Sequence, residues 1–542
     1  MKKRTLTKLF AGLLAGMLFA GTLGSVIANA SSNEALASLE IIPAGQDSTG
    51  NPDESVEPEG VQPGTEFHFW TNYDVPQYCP WMDNRAAALF YQIYDNLLIK
   101  YKGDINDIRC NIAKDYEISE DGTVWTFHLR EDATFSNGNP VTSADFIATW
   151  DVMQTYQPRP FSSVDHYEAP DDYTLVVTLK SANPIFIYEL PTQSMYGVVD
   201  HTALEEFGPE DNNSAVGCGP YVVEQYTPGE GFVLKAREDY WNETKMPHIE
   251  TCYIDILPDE NSALMSMMTG QLDCMNTVST EIVTNLVDNG FRVALIEDRE
   301  NPYWLNGKLV ECLSHQEVRE ALCHMVDWDA LSQLVYDGLW PHPESYFTGA
   351  GFTQFSDKYT YDPELGLQML ADAGYAPEDI KFEILADPDW TNLNVALVSQ
   401  FNELGLTNIT TVTYDGATCY GMLKAGEYEA FPVHNGYDPA SPLTPFTMGL
   451  LEGGTQPCMF LSGVDDEAYQ EAAALYDDVN TATTLDEYYE KFHALADFVQ
   501  EQCLALGGLQ TIRAYAFSDR IRGAYVCPVS SELQFTHLWI AE

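Results

Sequence analysis

From Thr65 to the C-terminus, segments with strand periodicity alternate with segments of helix periodicity and nothing repeats, which restricts the chain to mixed α/β architectures. In Val124-Trp125-Thr126-Phe127-His128-Leu129 the large apolar residues fall on one face and Thr126 and His128 on the other, and Tyr173 to Leu179 repeats the pattern. Both read as half-buried strands that pair in a sheet. Thr142-Ser143-Ala144-Asp145 predicts a helix start, with the Thr142 hydroxyl free to satisfy a helix amide and Asp145 complementing the positive helix end. Asp362 as N-cap, Pro363 behind it, Leu367, Leu370 and Ala371 on one face and Gly374 as terminator define one compact helix. Val318, Leu322, Met325, Leu331, Leu334 and Val335 predict a longer helix from about Gln316 to Tyr336.

The N-terminus sets where this fold forms. Lys2, Lys3, Arg4 and Lys8 precede an apolar run from Leu9 to Ile27 that closes on Ala28-Asn29-Ala30, the pattern of a signal peptide spanning residues 1–30. No cysteine precedes Cys79, so the usual lipid-attachment cysteine is missing, and the product is expected to be a soluble monomer in the periplasm, outside the cell or at its surface. From Ser31 to Gly64 there is no Lys or Arg, while Glu, Asp, Pro, Gly and Ser dominate, so residues 31–61 read as a disordered acidic linker. The formal charge of -56 argues against nucleic acid and anionic membranes as partners, because affinity for both comes from clustered Lys and Arg. With 45% apolar residues the chain can bury cores for two or three domains.

Chemistry is absent where sequence can show it. The patterns GxSxG, HExxH and GxxxxGK[ST] do not occur, and among 82 acidic residues a pair of carboxylates has no meaning without geometry. Asp171-Asp172 and Asp465-Asp466 lack the ligand spacing of a calcium loop. The eleven cysteines show no CxxC and no zinc spacing; most read as buried inert thiols, one or two disulfides are possible after export, and their connectivity cannot be read from spacing. No catalytic residue, metal or cofactor is expected.

Five stretches in order carry a resemblance. The first runs from Asn111-Ile112-Ala113 through Glu120-Asp121-Gly122 and the strand 123–130 to Phe135-Ser136-Asn137-Gly138 and Ser143-Ala144-Asp145-Phe146. The second runs from Gly217-Cys218-Gly219-Pro220-Tyr221 through Leu234-Lys235-Ala236-Arg237-Glu238-Asp239-Tyr240-Trp241 to Gly270-Gln271-Leu272-Asp273. Val318-Arg319-Glu320-Ala321-Leu322 with Asp327 is the third, Tyr361-Asp362-Pro363-Glu364 to Ala373-Gly374-Tyr375 the fourth, and Glu427-Tyr428-Glu429 to Pro442 the fifth. Together they resemble the family of oligopeptide-, dipeptide- and nickel-binding proteins that serve ABC importers, solute-binding protein family 5. The resemblance implies a periplasmic-binding-protein-like fold of the large class II type: two α/β lobes, a hinge and an additional α/β domain. Mapped on this chain, lobe one takes residues 62–92, 211–303 and 509–542, the extra domain 93–210 and lobe two 304–508. It also implies a non-enzymatic binding protein with permease and ATPase partners and a peptide or small organic solute as ligand; oligosaccharides and nickel complexes suit the same fold. In a different class stand a secreted hydrolase and a sensor.

Peptide-binding relatives place an aspartate of a GWxxDYxxP segment on the peptide's amino group. An ungapped match puts Asp438 on that aspartate and Pro442 on the proline, with Tyr437 beside it, whereas a shifted match puts Asn435 there instead. The loop Asn72-Tyr73 after the first strand and the segment containing Trp390 and Asn392 after a lobe-two strand complete the expected cleft wall. For Trp390 and Tyr73 an ordinary half-buried aromatic is an equally good reading.

Overall fold

The computed structural model describes residues 41–42, 58–82, 87–100, 108–158, 161–188, 196–343, 359–433, 442–527 and 532–541. The leader and the segment carrying Asn435, Tyr437 and Asp438 lie outside them.

One eleven-stranded sheet runs through the protein. At one end Lys381–Ala386 lies parallel to both Asn408–Thr413 and Ala430–Pro432. At the other end Gln62–Thr71 lies parallel to Cys274–Thr277 and Ile249–Ile256, with Gly231–Ala236 and Tyr221–Thr227 beyond. Two long antiparallel strands, Arg292–Leu305 and Ala505–Phe517, join the ends. Their halves serve different lobes. Ala514 to Phe517 pairs with Cys274–Thr277, while Tyr303 to Leu305 pairs with Ala430–Pro432. Between these halves the register slips at Glu297/Arg299 and again at Pro302/Trp304, and such bulges bend a strand. The protein has the two-lobed α/β fold, with these strands as its hinge. Within the stretch read as a linker, Ile41 and Ile42 pair with Leu295 and Ile296, where two β-branched residues cover a strand edge that Ala430–Pro432 does not reach.

The strands Val124–Leu129 and Thr174–Leu179 pair antiparallel, with Trp125, Phe127, Leu175 and Val177 buried. These side chains share one core with Phe67, Phe69 and Phe90 of lobe one, so the extra α/β unit is fused to that lobe. Helix Ser143–Tyr156 covers its sheet. At the helix start Thr142 and Asp145 form a capping box, in which the Asp145 carboxylate accepts from both the N–H and the hydroxyl of Thr142. Lobe two is built on Val318, Leu322, Leu370, Leu393 and Leu397, with a neighbouring cluster around Phe431, Phe446 and Phe492.

The expected helix from Gln316 to Tyr336 is two helices, Gln316–Cys323 and Trp328–Tyr336. Asp327 divides them by accepting from the Ala330 N–H as an N-cap. The apolar period runs on through Met325 and Val326 because both pack in the same core from the connecting turn. Helix Pro363–Asp372 begins and ends as expected, with Asp362 accepting from Leu365 and Gly374 at φ +87°.

The residues that carry the resemblance are scaffold. A Cβ at Gly217 would lie 2.0 Å from the Ile93 carbonyl oxygen, so only glycine lets these backbones pass. Arg237 is buried and donates to the carbonyls of Thr134 and Gly219. Asp273 accepts from His68, Ser518 and Arg520 and ties three chain segments together. No helix among the described residues is long and apolar enough to cross a membrane.

Candidate functional site

In open α/β sheets the carboxyl ends of parallel strands form the ligand edge, because helix N-termini and loop backbones converge there. In lobe one, Gln62–Thr71 runs into Asn72 and Tyr73, and Ile249–Ile256 runs into Asp259, the N-cap of helix Glu260–Met268. In lobe two, Lys381–Ala386 runs into Asp387-Pro388-Asp389-Trp390, and Ala430–Pro432 is followed in sequence by residues 434–441, outside the described residues.

The two ligand edges face each other. Glu260 of lobe one is half-buried and accepts from the Thr277 hydroxyl at 3.0 Å. Its carboxyl is raised above the usual range, first by burial and then by the charge of Asp389 in lobe two, with Thr277 and Arg513 opposing. Asp387 is raised as well, by burial and by neighbouring Asp389. The cation that opposes the rise at Glu260 belongs to the hinge: Arg513 donates to Asp298 at 2.7 Å, and Arg299 approaches the same carboxylate at 3.3 Å. Charge from Asp389 of lobe two and from hinge Arg513, itself bonded to Asp298, thus reaches Glu260 of lobe one, and Asp387 feels the charge of Asp389. Such an edge suits a positively charged group on the ligand.

Behind Asp389 stands an aromatic wall. Tyr336 stacks on Trp340 with centroids 4.0 Å apart, and Trp390 meets Trp340 edge-on at 5.9 Å. The Tyr336 hydroxyl is raised by burial and by Asp389 and Asp387. Beneath, Tyr303 donates to Asn394 at 2.6 Å, and Asn394 donates to the Leu385 carbonyl at 3.1 Å, which fixes the strand end that projects Asp387.

Of the residues expected from sequence, Asn72 and Tyr73 are exposed at the lobe-one edge, and Tyr73 donates its N–H to the Thr71 hydroxyl at 3.2 Å. Trp390 is half-buried against Trp340, and Asn392 is exposed in the first turn of helix Thr391–Glu403. Sequence reading missed Glu260, Asp389, Tyr336, Trp340 and Arg513. Asp389 sat within a segment already singled out, and the cap signal Asp259-Glu260 after an apolar strand could have marked Glu260; a lone arginine in an apolar strand carries no such signal.

The lobes also touch away from the hinge. Ile185, from the extra α/β unit, is buried in the lobe-two cluster with Phe431 and Tyr488. In this conformation the lobes are closed on each other.

Outside the cleft, Asp145, Asp200 and His201 bring ligand atoms within 4.8 Å of one another. Their hydrogen bonds make them a capping network: Asp145 pairs with His201 at 2.6 Å and holds Thr142, while Asp200 accepts from Thr202, Asn137 and Asn139.

A family model described as bacterial extracellular solute-binding proteins, family 5 middle, matches residues 107–456. A Brucella ovis protein provisionally named an ABC transporter peptide-binding protein is 25% identical over 373 residues, covering 64% of this chain and 69% of its own. Heme-binding protein A of Haemophilus influenzae is 26% identical over 438 residues, covering 71% and 76%. Among solved structures, NikA from Brucella suis in complex with Fe(III)-EDTA is similar in fold, with a TM-score of 0.77 over 88% of this chain and 100% of its own at 18% identity. A model match over more than half the chain, on a two-lobed fold with opposed strand ends, places this protein in family 5 of the bacterial extracellular solute-binding proteins.

Proposed function

We propose that the protein captures a peptide by its free amino end between the lobes and delivers it to the permease and ATPase subunits of an ABC importer. It acts as an exported soluble monomer, released from its leader after Ala30, and it makes or breaks no covalent bond. The observation that carries this reading is that Glu260 and Asp389, each at the end of a strand in its own lobe, lie within each other's electrostatic reach. A ligand that touches both lobes favours the closed form by its differential affinity. The relative named for peptide binding supports the ligand class, and Asp438, which follows Ala430–Pro432 in the sequence, is the proposed partner of the peptide's ammonium group.

The Asp438→Asn variant tests this by removing the charge while keeping the shape. Free-terminus peptides are expected to lose about 30-fold in affinity or more, equivalent to roughly 2 kcal/mol, measured by calorimetry. N-acetylated peptides bind the parent protein weakly and lose little more in the variant. Equal losses for both ligands, or none for either, would remove Asp438 and the amino-end reading together.

A further inference from the structure

Two buried thiols meet behind the lobe-two end of the hinge. Cys323 closes helix Gln316–Cys323, and its Sγ lies 3.3 Å from the carbonyl of Ala505, the first residue of the returning hinge strand. Cys503 sits two residues ahead of that strand at φ +51°, a left-handed backbone that a non-glycine residue rarely adopts. Its Sγ contacts the Tyr359 hydroxyl at 2.9 Å, and its thiol is the leading influence on that of Cys323. Both cysteines are buried, at 3% and 2% exposure. Arg319, one helical turn before Cys323, donates to the Gln502 carbonyl at 2.8 Å and to the Cys503 carbonyl at 3.2 Å, so the two backbones are held together independently of the sulfurs.

We propose that Cys323 and Cys503 form a disulfide when the chain folds outside the cytoplasm, fastening the returning hinge strand to the helix beneath it. The step joins Sγ to Sγ; each thiol gives up its proton, and the two electrons reduce a disulfide-bonded donor to a pair of thiols. Contact with Cys503 and burial hold the Cys323 thiol well above its usual range. The nucleophilic thiolate is therefore scarce in the folded protein, and the bond forms during folding, before the pair is covered. The inference rests on the reading that the chain is exported.

The test expresses the full chain with its own leader in a bacterial host and maps peptides from the exported fraction without reduction. A peptide pair joined through Cys323 and Cys503 is the expected product. In parallel, full-length protein is unfolded, reduced and refolded in a mixture of reduced and oxidised glutathione. The refolded protein is expected to carry the same bond and to melt about 10 °C above its dithiothreitol-treated form, because the bond closes a loop comprising most of lobe two. Cys503→Ser is expected to melt with the reduced protein and to ignore dithiothreitol; the peptide map stands whether or not that variant folds. Alkylation of both thiols in exported protein, or linkage of Cys503 to another cysteine, overturns the proposal. Retention in the cytoplasm overturns the export reading and the physiological bond with it, and the glutathione arm shows whether the pair itself failed.

Discussion

Replacing Arg319 with methionine is expected to lower the stability of the protein by about 3–5 kcal/mol, read as a shift in the urea midpoint under reducing conditions. The side chain is 3% exposed, and no carboxylate faces it within hydrogen-bond reach among the described residues. It donates instead to the carbonyls of Leu313, Ser314, Gln502 and Cys503. Burial lowers its pKa from the usual arginine value, yet the guanidinium stays charged because arginine's reference value lies so high. Methionine fills the volume and makes none of these bonds. Each buried acceptor left without a donor costs about 1–3 kcal/mol, and the losses add incompletely because the four carbonyls share one site. Arg319→Lys is expected to fall between, since one ammonium cannot fork toward two chain segments. A loss below about 1 kcal/mol for methionine would mean that the carbonyls find water and that the arginine is not the staple.

Glu300 is expected to give the protein a pH-dependent weakness that Glu300→Gln removes. The residue sits on the outgoing hinge strand at 2% exposure, and its Oε2 has no hydrogen-bond partner among the described residues. Burial, reinforced by Glu297 and Asp298, raises its carboxyl well above the usual range, so the folded protein keeps this proton where the unfolded chain has released it. The sign follows from linkage: below the unfolded value of about 4.3 both states hold the proton and the group is neutral in effect. Above it, stability falls by about 1.4 kcal/mol for each pH unit until Glu300 itself ionises. Glutamine copies the neutral acid in shape, so variant and parent are expected to match near pH 4 and to diverge as pH rises, the variant being the more stable. Parallel stability curves from pH 4 to 8 would show that Glu300 ionises freely and that water reaches the hinge.

The parts of this fold legible in the sequence are those fixed by neighbours along the chain. Strand alternation at Val124–Leu129 and the caps at Asp362 and Gly374 depend on residues within one or two turns of each other, and they stand in the structure as read. The break at Asp327 was hidden because Met325 and Val326 continue the apolar period from a turn, so period and helix part company there. Ile41–Ile42 was hidden for the opposite reason. Its partner, Leu295-Ile296, is far away in sequence, and an acidic, glycine-rich context outweighed two isoleucines. The site divides in the same way. Trp390 and Asn392 were reached through their strand, whereas Glu260 feels the charges of Asp389 and Arg513 only because two lobes close over a hinge. No spacing in the chain encodes that meeting. The aromatic next to the cleft shows a further limit: Trp390 packs edge-on against Trp340, so wall and core are the same residue seen from two sides.

Closure over a captured solute is tested most directly by solution scattering on full-length protein with a free-terminus peptide selected from a mixture by native mass spectrometry. The described conformation has Ile185 buried in lobe two and Glu260 within the field of Asp389. The expected result is a smaller radius of gyration in the peptide-bound protein, whose scattering curve matches this closed conformation, and a larger one in the ligand-free protein. A peptide bound at saturation with the scattering curve unchanged would contradict capture between moving lobes, and failure of every free-terminus peptide to bind would contradict the peptide reading itself.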